Sequence, residues 1–124
     1  MKLKPEDRLN RNITPEKLAK YFDVTGRALK KVKIVSKVFM RADCNLSRDI
    51  KEEFDFKKHA EDFLDMAQRY YSDAKHFEEN GDIVNAFACL NYAHGWLDAG
   101  ARLGLFDVDG DNVLFTVDVK EDKL

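Results

Sequence analysis

The chain has 124 residues, of which 44% are hydrophobic and 35% charged, with a formal net charge of -2. That length suits one domain, and the hydrophobic fraction excludes a chain disordered throughout. The mean hydropathy of -0.51 and the lack of any long apolar run argue against a membrane span. Two cysteines do not make a disulfide scaffold, and charged residues rather than an apolar run follow Met1, so the expectation is a cytoplasmic protein with reduced thiols.

Charge is uneven along the chain. Residues 1–41 carry 12 Lys/Arg against 4 Asp/Glu, a net of +8, whereas residues 42–106 net -6 and residues 107–124 net -4. A basic first third invites a nucleic-acid reading. The competing reading is internal, with a basic helix neutralised beside an acidic one.

Residues 1–12 lack a pattern and read as a flexible arm. A first helix is expected from Thr14, which can cap it, with Pro15 at the first helical position. Apolar residues at a, d and e of a heptad (Leu18, Tyr21, Phe22, Ala28, Leu29, Val32, Val35, Phe39) carry this helix to between Arg41 and Asn45. Its basic residues, among them Lys20, Arg27, Lys30, Lys33, Lys37 and Arg41, fall outside that stripe and define a basic outer face. These six are the candidate nucleic-acid-binding residues.

A second helix is expected from about Ser47 or Asp49 to Asn80, stopped by Gly81. The third starts with Asp82 as cap and runs to Leu103. The a positions of the second helix are Ala60, Ala67 and Ala74, and those of the third are Ala86, Ala93 and Gly100. Small residues on facing seams let two antiparallel helices approach closer than the usual ~8–10 Å. The expected architecture is therefore all-α, an up-down-up three-helix bundle over residues 13–104 with a short β-prone C-terminal extension over 105–124. Asp109-Gly110 between two β-prone runs predicts a small hairpin there.

Candidate chemistry is sparse. Asp107, Asp109, Asp111 and Asp118 have the alternation of a calcium loop, but Asn112 stands where that loop needs glycine and Asp118 where it needs glutamate. A solvated turn is the better reading. Arg69 and His76 form R-x6-H, which resembles the catalytic spacing of HEPN-type helical ribonucleases. Here the pair sits mid-bundle, and Arg69 is followed by Tyr70 rather than a polar residue. On the third helix Asn91, His94, Asp98 and Arg102 make a polar strip, a candidate surface site. No H-x3-H or C-x2-C occurs, so neither a metal nor any other cofactor is expected. Phosphate-loop and nucleophile-elbow motifs are also absent.

Gly81-Asp82 with Ala86 and Ala93 resembles the turn and second helix of a tetratricopeptide repeat. An array needs ~34-residue recurrence in at least ~3 copies, and this chain has one hairpin. The stretch Asn80-Gly-Asp-Ile-Val-Asn-Ala-Phe-Ala-Cys-Leu-Asn-Tyr-Ala-His-Gly-Trp-Leu-Asp-Ala-Gly-Ala-Arg-Leu-Gly104, together with Thr25-Gly26-Arg27-Ala28-Leu29, carries a closer likeness. It resembles the signature of the archaeal domain-of-unknown-function family 357, over roughly residues 14–104. The resemblance implies a three-helix bundle in an archaeal cytoplasm and carries over no catalytic residues. The expectation is a protein-interaction or scaffold module rather than an enzyme, its partner an unknown protein or a second copy. Self-association would run through the β-prone tail or an exposed Ile34. The alternatives are nucleic-acid binding on the basic face and HEPN-like RNA cleavage.

Overall fold

The computed structural model describes residues 10–35 and 56–118. These form three helices, α1 (Pro15–Lys31), α2 (Phe56–Glu79) and α3 (Ile83–Leu103), and two short strands, β1 (Lys33–Ile34) and β2 (Phe106–Asp107). The fold is an all-α three-helix bundle with a minimal two-stranded ribbon.

Local signals set most of the helix ends. The Thr14 hydroxyl accepts from Lys17 N at 3.1 Å, and Pro15 takes the first helical position. Ile13, just before that cap, packs on the cluster around Leu18, a hydrophobic staple. Gly81 (φ 77°) ends α2: Asp82 N donates to Phe77 O at 2.8 Å and Gly81 N to Glu78 O at 3.0 Å. Gly104 (φ 85°) ends α3 in the same way, with Leu105 N on Gly100 O and Gly104 N on Ala101 O. Both are left-handed glycine closures that satisfy carbonyls the helix leaves open. Asp82 caps α3 through Asn85 N, as expected.

The end of α1 differs from expectation. The helix stops at Lys31, Val32 is extended, and Lys33–Ile34 pairs antiparallel with Phe106–Asp107. A β-branched run (Val32, Ile34, Val35) favours the strand, and β2 offers it a partner. Helix continuation past Lys31 is thereby corrected as far as Val35, and the rest of that prediction, with residues 47–55 of the expected second helix, lies outside the described residues. Ile34 is half-buried against the core, not exposed.

Packing follows the small-residue seam. Ala60, Ala67, Ala74, Ala86 and Ala93 are all fully buried, and α2 and α3 form the most extensive helix contact. Leu18, Ala74, Ala86 and Leu90 make one core cluster near the α2–α3 turn. Ala28, Ala67 and Leu97 join Leu105 and Phe106 in a second at the other end. Since α1 meets the turn end with its first residues and the strand end with its last, it runs antiparallel to α2 and parallel to α3. Gly100 makes room for something other than α2: a Cβ there would run into the ring of Phe106.

Among the described residues, which end at Asp118, the expected C-terminal hairpin does not form. The Asp109-Gly110 turn is present, with positive φ at both residues and Asp111 N on Val108 O at 3.0 Å. The chain beyond it does not return as a strand. Asp111 Oδ1 accepts from Val113 N and Leu114 N, each at 3.0 Å, and Leu114 and Phe115 are buried in the core. Burying those two side chains outweighs a lone two-stranded ribbon, which is marginal in water.

Candidate functional site

Two of the three helices present charged outer faces. On α1, Lys20, Arg27 and Lys30 are exposed, while Lys33 is exposed on β1. Lys37 and Arg41 lie outside the described residues. Arg27 Nη1 is 3.4 Å from Asp23 of its own helix, and Lys31 Nζ is 3.8 Å from Asp111. Among the described residues no ion pair joins α1 to α2 or α3. Internal neutralisation of the basic helix by the acidic one is therefore not what the described side chains do. On α2, Arg69 pairs with Asp65 at 2.8 Å and His76 Nε2 lies 3.2 Å from Asn80 Nδ2. Both residues are exposed, and each is engaged by a neighbour on its own segment.

The polar strip of α3 is covered by the tail of the chain. His94 Nε2 lies 2.6 Å from the Leu114 carbonyl, and His94 Nδ1 lies 3.1 Å from Thr25 Oγ1. A carbonyl can only accept, so Nε2 carries the hydrogen, and in the neutral ring Nδ1 accepts from the Thr25 hydroxyl. Asp98 receives Thr116 N at 2.9 Å and Thr116 Oγ1 at 3.2 Å, while Arg102 Nη1 donates to Thr116 O at 3.3 Å. Asn91 turns back to its own helix, Nδ2 donating to Phe87 O. Three of the four strip residues thus hold residues 114–116 against the bundle. Thr25, buried at a core position of α1, completes the set, and the sequence reading did not single it out. Its signal was a lone hydroxyl in an apolar stripe.

Lys20 and Asn91, taken from two separate candidate sets, meet in one cleft of ≈ 290 Å³ between α1 and α3, with Tyr21, Val24, Thr25 and His94. Two of the calcium-like aspartates, Asp107 and Asp111, cap backbone amides, with Asp107 Oδ1 accepting from Asp109 N at 3.0 Å. The Leu114 amide above all holds the Asp111 carboxyl below the usual carboxylate range, helped by the Val113 amide, Lys31 and Arg27 against some desolvation. Burial, with Asp73 and Asp82 nearby, pushes the Cys89 thiol up, away from the nucleophilic thiolate. Among the described residues no three His, Cys, Asp or Glu side chains gather as a metal would need. None of the helices among them is long and apolar enough to cross a membrane.

The outer face of α3 is different in kind. Val84 is 70% exposed, Tyr92 51% and Leu103 61%, and Ala88, Gly95 and Ala99 between them are exposed too. Leu103 faces out at the last position of the helix, where Gly104 ends it and Leu105 takes the buried place. From Ile83 to Leu97 the helix contains no Asp, Glu, Lys or Arg. At ~100° per residue, Val84, Ala88, Tyr92, Gly95, Ala99 and Leu103 share one sector about 100° wide. Beside it, Tyr70 stacks edge-to-face on Tyr92 (4.4 Å) and Phe63 on Trp96 (5.0 Å).

No curated protein and no solved structure matched the chain. A family model, described as a protein of unknown function (DUF357), matches residues 20–106. That stretch holds most of α1, the whole α2–α3 hairpin and the first residue of β2, and stops short of the tail segment docked on His94 and Asp98. The match spans well over half the sequence, and the chain belongs to the DUF357 family.

Proposed function

We propose that this chain is a protein-interaction module whose recognition surface is the outer face of α3. One observation carries the reading: from Val84 to Gly95 the outer face of α3 is exposed, mostly apolar and without an ionised side chain, while the outer faces of α1 and α2 are charged. Soluble domains rarely leave such a face bare. The resemblance and the cysteine usage support placing the module in an archaeal cytoplasm. A photo-cross-linking residue in place of Ala99 tests the reading, with Ser72 on the charged face of α2 as control, in extract of the source cells. Discrete adducts from position 99 and none from position 72 are expected. Equal patterns at both positions, or none at either, would remove the proposal.

A second reading has its own support, nucleic-acid binding on α1 and β1. Lys20, Lys30 and Lys33 have no acidic partner within 4.0 Å among the described residues. Such binding would fall steeply with salt. A gel-shift assay at ~50 mM salt that detects no complex with single- or double-stranded probes would end it. HEPN-like cleavage gains less, because Arg69 and His76 lie exposed on the outer face of α2, each engaged by its own segment.

A further inference from the structure

We propose that the cleft between α1 and α3 takes one unpaired nucleotide of a single-stranded nucleic acid, its base between the helices and its phosphates on the α1 cations. The inference rests on the second reading above, nucleic-acid binding along α1 and β1, and names the form of nucleic acid that this face accepts. Its ground is a cleft with ring and aliphatic walls and a cationic edge. Tyr21 and Val24 of α1 and His94 of α3 supply the walls, Lys20 and Asn91 the outer polar groups, and no carboxylate lines it. At ≈ 290 Å³ it lies at the lower edge of the ~300–1,000 Å³ usual for ligand clefts. One ring system matches that size and paired strands do not.

Each part of the cleft answers a part of the nucleotide. The Tyr21 ring is held at 4.6 Å from that of Phe87, so it is a fixed aromatic surface, and unstacked bases settle on such surfaces whatever their sequence. Asn91 donates one amide hydrogen to Phe87 O. Its Oδ1 and its second amide hydrogen take no partner among the described residues, an acceptor beside a donor, the pairing that base edges offer. The floor does not compete for that pair, because His94 is committed to Thr25 and to the Leu114 carbonyl. On α1, Lys17, Lys20, Arg27 and Lys31 share with Val24 a sector about 80° wide at ~100° per residue, so cations run past the cleft along its α1 edge. Lys20 has no acidic partner within 4.0 Å among the described residues. Lys17 donates to Asn10 and stands 6.0 Å from the Phe87 ring centre. Arg27 is held by an exposed pair with Asp23 at 3.4 Å and Lys31 by Asp111 at 3.8 Å, and a pair as exposed as the first costs little to exchange for a phosphate. A base stacked in a duplex cannot enter without leaving its partner, so the cleft selects unpaired strands. A face that worked by charge alone would favour the duplex, whose phosphates are denser.

Fluorescence anisotropy of a labelled single strand of about eight nucleotides and of a hairpin duplex, each titrated with the purified full chain at ~50 mM salt, tests this. The single strand should bind the more tightly, by about tenfold or more. Asn91→Leu, at an exposed position, should keep the far-UV spectrum and weaken single-strand binding at least about fivefold. Because it changes no charge, it should leave duplex binding and the salt dependence as they are. Lys20→Ala should instead reduce the salt slope for the single strand by about 0.7, the share of one phosphate. Adenosine monophosphate at millimolar concentration should shift the side-chain amide signals of Asn91 and the backbone amides of Val24 and Thr25 in NMR spectra, with Ser72 on α2 unmoved. Single strand and duplex bound alike, or an Asn91→Leu chain that binds the single strand like wild type, would overturn the cleft and leave the basic face standing. A chain that binds neither nucleic acid takes the second reading down as well. Cleft signals that move with the mononucleotide while no strand binds would overturn the strand as occupant in favour of a free nucleotide.

Discussion

Asp111 shows how one carboxylate can hold a segment that has no regular structure. Its Oδ1 closes the turn through the amides of Val113 and Leu114, and its Oδ2 faces Lys31. All these partners favour the ionised form, so its folded pKa is depressed. The sign follows: the stabilisation is complete above the unfolded value of ~3.9 and is lost as pH falls through the depressed folded value. Protection factors of the Val113 and Leu114 amides, exchange rates divided by the intrinsic rate at each pH, should therefore fall on acidification below about pH 4, before those of α2 and α3. Asp111→Asn should bring the same loss of protection at neutral pH; equal protection of these amides in that variant would refute the role. Trp96 makes the opposite case. Its indole N–H is buried with no hydrogen-bond partner among the described residues, and Phe63 and Tyr92 are set edge-to-face around it. An orphaned donor is a standing cost, so Trp96→Phe should lower stability by less than about 1 kcal/mol, where truncation to alanine costs ~3–5. Denaturant unfolding with an unchanged m-value is the measurement.

At the scale of elements, the seam explains why α2 and α3 form the most extensive contact. Ala67 and Ala93 have no exposed surface, so a leucine at either has to displace packed neighbours. Ala93→Leu should cost more than the ~1–3 kcal/mol usual for overpacking, read as a fall in the denaturant midpoint; an unchanged midpoint would mean the helices have slack there. This seam was legible because its signals are local and periodic, alanine every seventh residue with a capped, glycine-closed turn between. The end of α1 was not. Val32 and Val35 fit the helical period as well as they fit a strand, and what decides is pairing with Phe106–Asp107, far along the chain. The polar strip of α3 was likewise legible as a strip, but its occupant was not, because nothing local ties His94 to Leu114 or Asp98 to Thr116. The apolar outer face of α3 was overlooked for a simpler reason: the heptad reading looks for what a helix buries. The missing charge between Ile83 and Leu97 was in plain view.

At the scale of the molecule, the tail is part of the core although it lies beyond the stretch that marks the family. Leu114 and Phe115 share a cluster with Ala28 of α1, Ala67 of α2 and Leu97 of α3, so residues 111–118 bind all three helices at the strand end. A chain ending at Gly110 loses those two buried side chains, worth ~1.5–3 kcal/mol each, roughly 3–6 in all. It also loses the acceptor of His94 and the ligands of Asp98. Against a total stability of ~5–15 kcal/mol, that is a large share. The melting temperature of the shortened chain should fall by at least ~10 °C for a domain of this size. Val113→Asp separates core loss from a general effect of altering the tail, since Val113 is 85% exposed and its replacement should leave melting within a degree or two of wild type. If the shortened chain melts like the full one, residues 111–118 only cover a bundle that is already complete. The family-matched stretch would then be self-sufficient, and the strip of His94, Asp98 and Arg102 would be free to take a different ligand.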